Sequence, residues 1–100
     1  MTVIGRERYL VSMLGEHAGW VRNVRAADGY ALVRHGRTER VRLAELPVDR
    51  RAPVLKLYLK RAPGARPHIP VDMHAPLEQF AAIAAQFPVF RVERADRPTA

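Results

Sequence analysis

The sequence contains no cysteine, which excludes disulfides, thiolate metal sites and cysteine nucleophiles and is compatible with a reducing cytoplasm. Aromatic residues are scarce at 7%, so a core has to lean on Val, Leu, Ile and Ala. Lysine is confined to Lys56 and Lys60, so the basic character is nearly all arginine. No apolar run approaches the ~20 residues that cross a bilayer. Nor does the N-terminus show a basic patch leading into the apolar stretch of a signal peptide. A cytoplasmic protein without a transmembrane segment is the expectation. No internal repeat and no low-complexity tract is present.

What remains is a chain of 100 residues with 48% hydrophobic content and a formal net charge of +7. That length predicts one domain, over residues 1–95, with 96–100 as a frayed tail. A domain of this size buries roughly 60–70% of its unfolded surface, enough for one modest core. Arginine forks recognise phosphate and carboxylate in bidentate fashion, so the charge balance suits anionic partners.

Periodicity predicts a strand over Tyr9–Leu14, apolar on both faces and therefore interior. Gly15 and Gly19 bracket a loop. A short helix follows over Trp20–Ala27, with Trp20, Val24 and Ala27 on one face and Arg22 and Arg25 on another. Asp28-Gly29 stops it. Tyr30–Arg34 and Thr38–Leu46 predict a β-hairpin, its second strand alternating Val41 and Leu43 with Arg40 and Arg42. A second helix is expected from Pro53, with Val54, Leu55, Tyr58, Leu59 and Ala62 as its apolar stripe. A third is expected over Pro76–Gln86, burying Leu77, Phe80, Ala81 and Ala84, and a last strand over Val89–Glu93. Four strands and three helices in this order favour a mainly β, α+β domain: a small antiparallel sheet or barrel with helices at its edge.

The segment from Ser12 to Arg25 carries the chemistry. A strand ends in a serine, a glycine-bracketed loop follows, and a helix starts. Free N–H groups and the dipole at a helix start attract anions. Trp20 offers a flat apolar surface, and Asn23 offers both donors and an acceptor. Residue physics also allows Trp20 as a core anchor, Asn23 as a tether and the arginines as a solvated face. On spacing alone that plainer reading comes first.

Tyr9-Leu10-Val11-Ser12, Gly15 and the string from Trp20-Val21-Arg22-Asn23 to Ala27 resemble the cofactor segment of the nitroreductase family of deazaflavin-dependent oxidoreductases. Arg40-Val41-Arg42-Leu43, Ala52-Pro53-Val54-Leu55, Ala75-Pro76-Leu77 and Pro88-Val89-Phe90-Arg91 are similar to that family too, so the resemblance runs from about Gly5 to Val92. It implies an FMN-binding-like split β-barrel, coenzyme F420 or alternatively FMN as cofactor, and hydride transfer to a quinone, nitro or unsaturated acceptor. It places Ser12, Met13, Gly15, Trp20, Arg22 and Asn23 at the cofactor. It leaves the catalytic residue open, with Tyr58 as the candidate proton donor on the substrate side, although its stripe position suits core packing. Members of that family carry further N-terminal strands with a Gly-Arg-x-Ser-Gly-like hairpin. This chain starts Met1-Thr2-Val3-Ile4-Gly5-Arg6-Glu7-Arg8, so the barrel is expected to be incomplete at its N-terminus. An uncovered sheet edge would then invite a homodimer. A shortened binding or interaction protein without catalysis is the alternative.

Other constellations carry less. His68, Asp72 and His74 match no zinc signature, and no metal is expected. His17 and His35 read as isolated loop residues, and Ser12 lacks the partners of a hydrolase triad. A basic nucleic-acid-binding domain is a further, lesser alternative that the charge balance fits. The sparse aromatics are not interleaved with arginine as a base-stacking platform requires, so no nucleic-acid partner is expected.

Overall fold

The structure is a computed structural model that describes residues 2–94; the predicted tail at 96–100 lies outside them. Among the described residues five strands form one sheet: β1 (Thr2–Ile4), β2 (Glu7–Val11), β3 (Tyr30–His35), β4 (Arg37–Glu45) and β5 (Val89–Arg94). Their spatial order is β1-β2-β5-β4-β3, with every neighbouring pair antiparallel. Three helices complete the α+β fold: α1 (Gly19–Ala26), α2 (Ala52–Arg61) and α3 (Leu77–Ile83). The sheet is open among the described residues, with β1 and β3 as its two edges.

Two expectations about the strands need correction. There are five rather than four, because Gly5 takes φ +60 and turns Thr2–Ile4 back onto Glu7–Tyr9 as a hairpin. The strand predicted over Tyr9–Leu14 lies earlier, at Glu7–Val11, and is interior as expected, between β1 and β5. The hairpin of β3 and β4 lies where alternation placed it, with Tyr30 opposite Arg42 and His35 opposite Arg37.

The helices cover both faces of the sheet rather than its edge. Side chains alternate along a strand. Leu10 accordingly joins the cluster under α1, whereas its neighbours Tyr9 and Val11 pack on the cluster under α2 and α3. The larger cluster buries Leu55, Leu59, Phe80, Ala84, Phe87 and Val89. The smaller one buries Val21 and Val24 of α1 against Val41, Leu43, Phe90 and Val92.

Within the helices the predicted faces shift slightly. Helix α2 starts at Ala52, one residue before Pro53, which still falls in the first turn where a missing N–H costs nothing. In α3, Phe80 is buried, as is Ala84 just beyond the helix, but Leu77 and Ala81 are exposed. In α1 the buried pair is Val21 and Val24; Trp20 and Ala27 are exposed. The helix ends at Asp28 and Gly29, with φ +57 and +89. A Cβ on Gly29 would lie 2.7 Å from the Leu43 carbonyl oxygen, so this close approach of backbone requires glycine.

Arg51 is a buried cation that periodicity did not single out. Its guanidinium donates to the carbonyls of Leu46 and Ala84, each at 3.0 Å, and to Glu45 Oε2 at 3.0 Å. It ties the end of β4 to the start of α2 and the end of α3.

Candidate functional site

The turn from Ser12 to Gly15 is closed from within. Ser12 is fully buried; its N–H donates to the Pro88 carbonyl at 2.9 Å, and its hydroxyl donates to the Gly15 carbonyl at 2.6 Å. The Gly15 N–H returns a bond to the Ser12 carbonyl at 3.2 Å. Gly15 takes φ +96, a backbone conformation that a side chain would strain. Ser12 and Gly15 therefore shape the loop, with the serine oxygen turned inward.

The loop delivers the chain to α1 without a cap. Ala18 occupies the cap position, has no side chain to accept a bond, and is followed by no acidic residue in the first turn. The Val21 and Arg22 N–H groups bond the Ala18 carbonyl at 3.1 and 3.2 Å. Those of Gly19 and Trp20 find no hydrogen-bond acceptor among the described residues. Two donors at the positive end of the helix dipole thus face outward.

The loop and α1 also carry exposed apolar and polar groups. The Trp20 ring is 38% exposed and leans on Phe90, with centroids 5.5 Å apart at 57°. Leu14 is 66% exposed on the loop. An open depression of about 450 Å³ lies between the loop at Leu14–His17 and the chain at Ala85 and Gln86. Arg22 and Asn23 are exposed on the first two turns of α1.

Arg25 and two predicted participants, Met13 and Tyr58, point elsewhere. Arg25 is held by carboxylates, donating to Glu45 at 2.7 and 3.1 Å and to Glu16 at 2.9 Å, and so does not reinforce an anion site. Its guanidinium holds the Glu45 carboxyl below the usual carboxylate value, with help from Arg51. Met13 and Tyr58 both pack on the α2–α3 cluster, on the other face of the sheet from α1. Burial raises the Tyr58 phenol above its ordinary value. Met13 follows Ser12 in the turn beyond β2, yet its side chain packs on the α2–α3 cluster while the Ser12 hydroxyl is spent on the Gly15 carbonyl.

The His68–His74 loop forms a turn of its own, in which the His74 N–H donates to Asp72 Oδ1 at 2.7 Å. Among the described residues no group of three or more metal-ligating side chains is drawn together.

A second concavity, of about 800 Å³, opens at the end of the sheet that carries the β1–β2 and β3–β4 turns. Arg6, Arg8, Arg37, Arg40 and Arg94 line it, with Glu39 as its one carboxylate. Arg8 donates to both oxygens of Glu39, at 2.8 and 2.9 Å, across the intervening strand β5. Arg8 foremost, with Arg94 and Arg37, lowers the Glu39 pKa, as expected of an acid surrounded by guanidinium groups. Spacing could not reveal this cleft, because its arginines come from three separated stretches of chain.

In comparisons with known proteins, no family model, no curated protein and no solved structure matches this chain.

Proposed function

We propose that the chain binds a deazaflavin, coenzyme F420, or alternatively FMN, at the loop and first turn of α1, and serves as an oxidoreductase toward a small-molecule acceptor. The observation that carries this reading is the uncapped start of α1, with two outward N–H groups beside a part-exposed indole. Two donors and a helix dipole suit one anionic oxygen of a phosphate-bearing cofactor. The Trp20 ring and Leu14 offer apolar surface to a planar ring system, while Asn23 and Arg22 supply polar contacts one turn on. The donor set thus fits such a group.

Bound there, the cofactor would supply hydride chemistry, and the protein's own part is binding and orientation. Ser12 holds the loop through Gly15, Gly15 turns it, and the Gly19 and Trp20 N–H groups fix the anion. The split-barrel relationship belongs to this same reading, with the open sheet as a barrel lacking closure.

A second reading, binding without catalysis, is favoured by one observation. Tyr58, the candidate proton donor, packs on the opposite face of the sheet from Trp20 and Asn23. A titration separates these outcomes. Oxidised F420 and FMN are added to the protein while Trp20 fluorescence is followed. Quenching that saturates at micromolar cofactor supports the site, and the absence of quenching with both overturns it. Cofactor-dependent reduction of a quinone then distinguishes the enzyme from the binding protein.

A further inference from the structure

We propose that the arginine cleft at the turn end of the sheet docks the phosphodiester backbone of nucleic acid. Five arginines line the cleft against one carboxylate, and that carboxylate is spent on Arg8. Arg6, Arg37, Arg40 and Arg94 make no ion pair among the described residues. Like charges gathered this closely repel one another, and an anion entering the cleft relieves that repulsion.

The geometry selects a repeating phosphate over other anions. Arg37 and Arg94 project from β4 and β5 on the face that also carries Arg8, and Arg6 stands in the turn beside them. A stacked strand carries one phosphate per ~3.4 Å of its axis, so these three unpaired arginines can engage about three phosphates of one strand. Arginine forks match phosphate oxygens in bidentate fashion. A protein partner would need an apolar anchor, and the only apolar side chain in the lining is Val92, which is buried. The Tyr30 ring lies under Arg42, 5.8 Å away, and among the described residues no aromatic side chain lines the cleft. Bases therefore find no stacking platform there, and binding is to backbone without base preference.

Binding of a fluorescent single-stranded oligonucleotide, followed by anisotropy across a salt series, tests this. With about three phosphates engaged, log affinity falls against log salt with a slope of roughly −2, about −0.7 per phosphate. Arg37→Gln and Arg94→Gln, both exposed, each flatten that slope by about 0.7 and weaken binding roughly fivefold at 0.1 M salt. Glu39→Gln tightens binding, because it removes the competing carboxylate and releases Arg8. Arg50→Gln removes an equal charge at the opposite end of β4 and leaves the slope unchanged. Oligo-dT and oligo-dA bind alike. Equal weakening by Arg50→Gln would reduce the effect to net charge and overturn the proposal. So would micromolar binding of inorganic triphosphate or polyglutamate without binding of the oligonucleotide.

Discussion

On one face of the sheet, α2 and α3 bury Leu55, Leu59 and Phe80 completely against Val89 and the apolar side chains of β2. On the other face α1 alone covers Phe90, Val41 and Leu43, and Trp20 remains part-exposed at its start. The first face is closed and its polar element, Arg51, is satisfied on three sides. The second leaves two helix N–H groups facing outward at one end and a group of guanidiniums at the other. Stability is concentrated where side chains are sealed from water, while unsatisfied donors and cations gather where one short helix is the only cover.

The two faces should differ most in what a core truncation costs, and the closed face should lose more. Phe80→Ala removes a fully buried ring and should cost about 3–5 kcal/mol in a denaturant melt. Trp20→Ala removes a larger side chain from the open face, yet should cost only about 1–2 kcal/mol, since the ring is part-exposed and its main partner is Phe90. Equal losses for the two would erase the distinction. Between these extremes, Gly29→Ala forces a Cβ to 2.7 Å from the Leu43 carbonyl at φ +89 and should cost about 2–3 kcal/mol by the same melt. It detaches the end of α1 from β4, where the Leu43 N–H bonds the Gly29 carbonyl at 2.7 Å.

A smaller effect lies in the acid limb of stability. The Glu45 carboxyl is held below its ordinary value of 4.5, first by its bond to Arg25 and further by Arg51. A carboxyl with a depressed folded-state pKa stabilises the fold above the unfolded-state value. It loses that contribution as pH falls through the lower, folded-state value. Melting temperatures of the wild type should therefore drop below about pH 4.5, and those of Glu45→Gln should drop less over the same range. Parallel curves would show that Glu45 is not held by its guanidinium partners.

Much of the fold was readable because alternation and caps are local. The hairpin of β3 and β4 follows from Val41 and Leu43 alternating with arginines, and α2 from a stripe beside Pro53. Strand β1 escaped because three residues carry too little periodicity, and only the turn at Gly5 makes them a strand. The phase of α1 was misjudged by taking Trp20 as its anchor; Val21, one position on, is the residue that fills the core. Arg51 and the arginine cleft were invisible for a different reason. A buried arginine looks like a surface one in sequence, and Arg8, Arg37 and Arg94 meet only through the register of β2, β5 and β4. In the candidate cofactor site the spacing located the loop and the helix start. It could not say that the Ser12 hydroxyl turns inward or that Arg25 is engaged by Glu16 and Glu45.

The proposed cofactor site depends most directly on the two outward N–H groups of α1, and Gly19→Pro removes one of them alone. Proline suits the first helical position, where no helical bond is lost, and no atom lies within 4 Å of a Cβ built on Gly19. The variant should melt at or slightly above the wild-type temperature. Its affinity for whichever of F420 and FMN binds the wild type, read by Trp20 fluorescence, should fall roughly tenfold, as expected for one lost hydrogen bond to a charged group. An unchanged affinity in a variant of undiminished stability would show that the α1 N–H groups do not hold the cofactor.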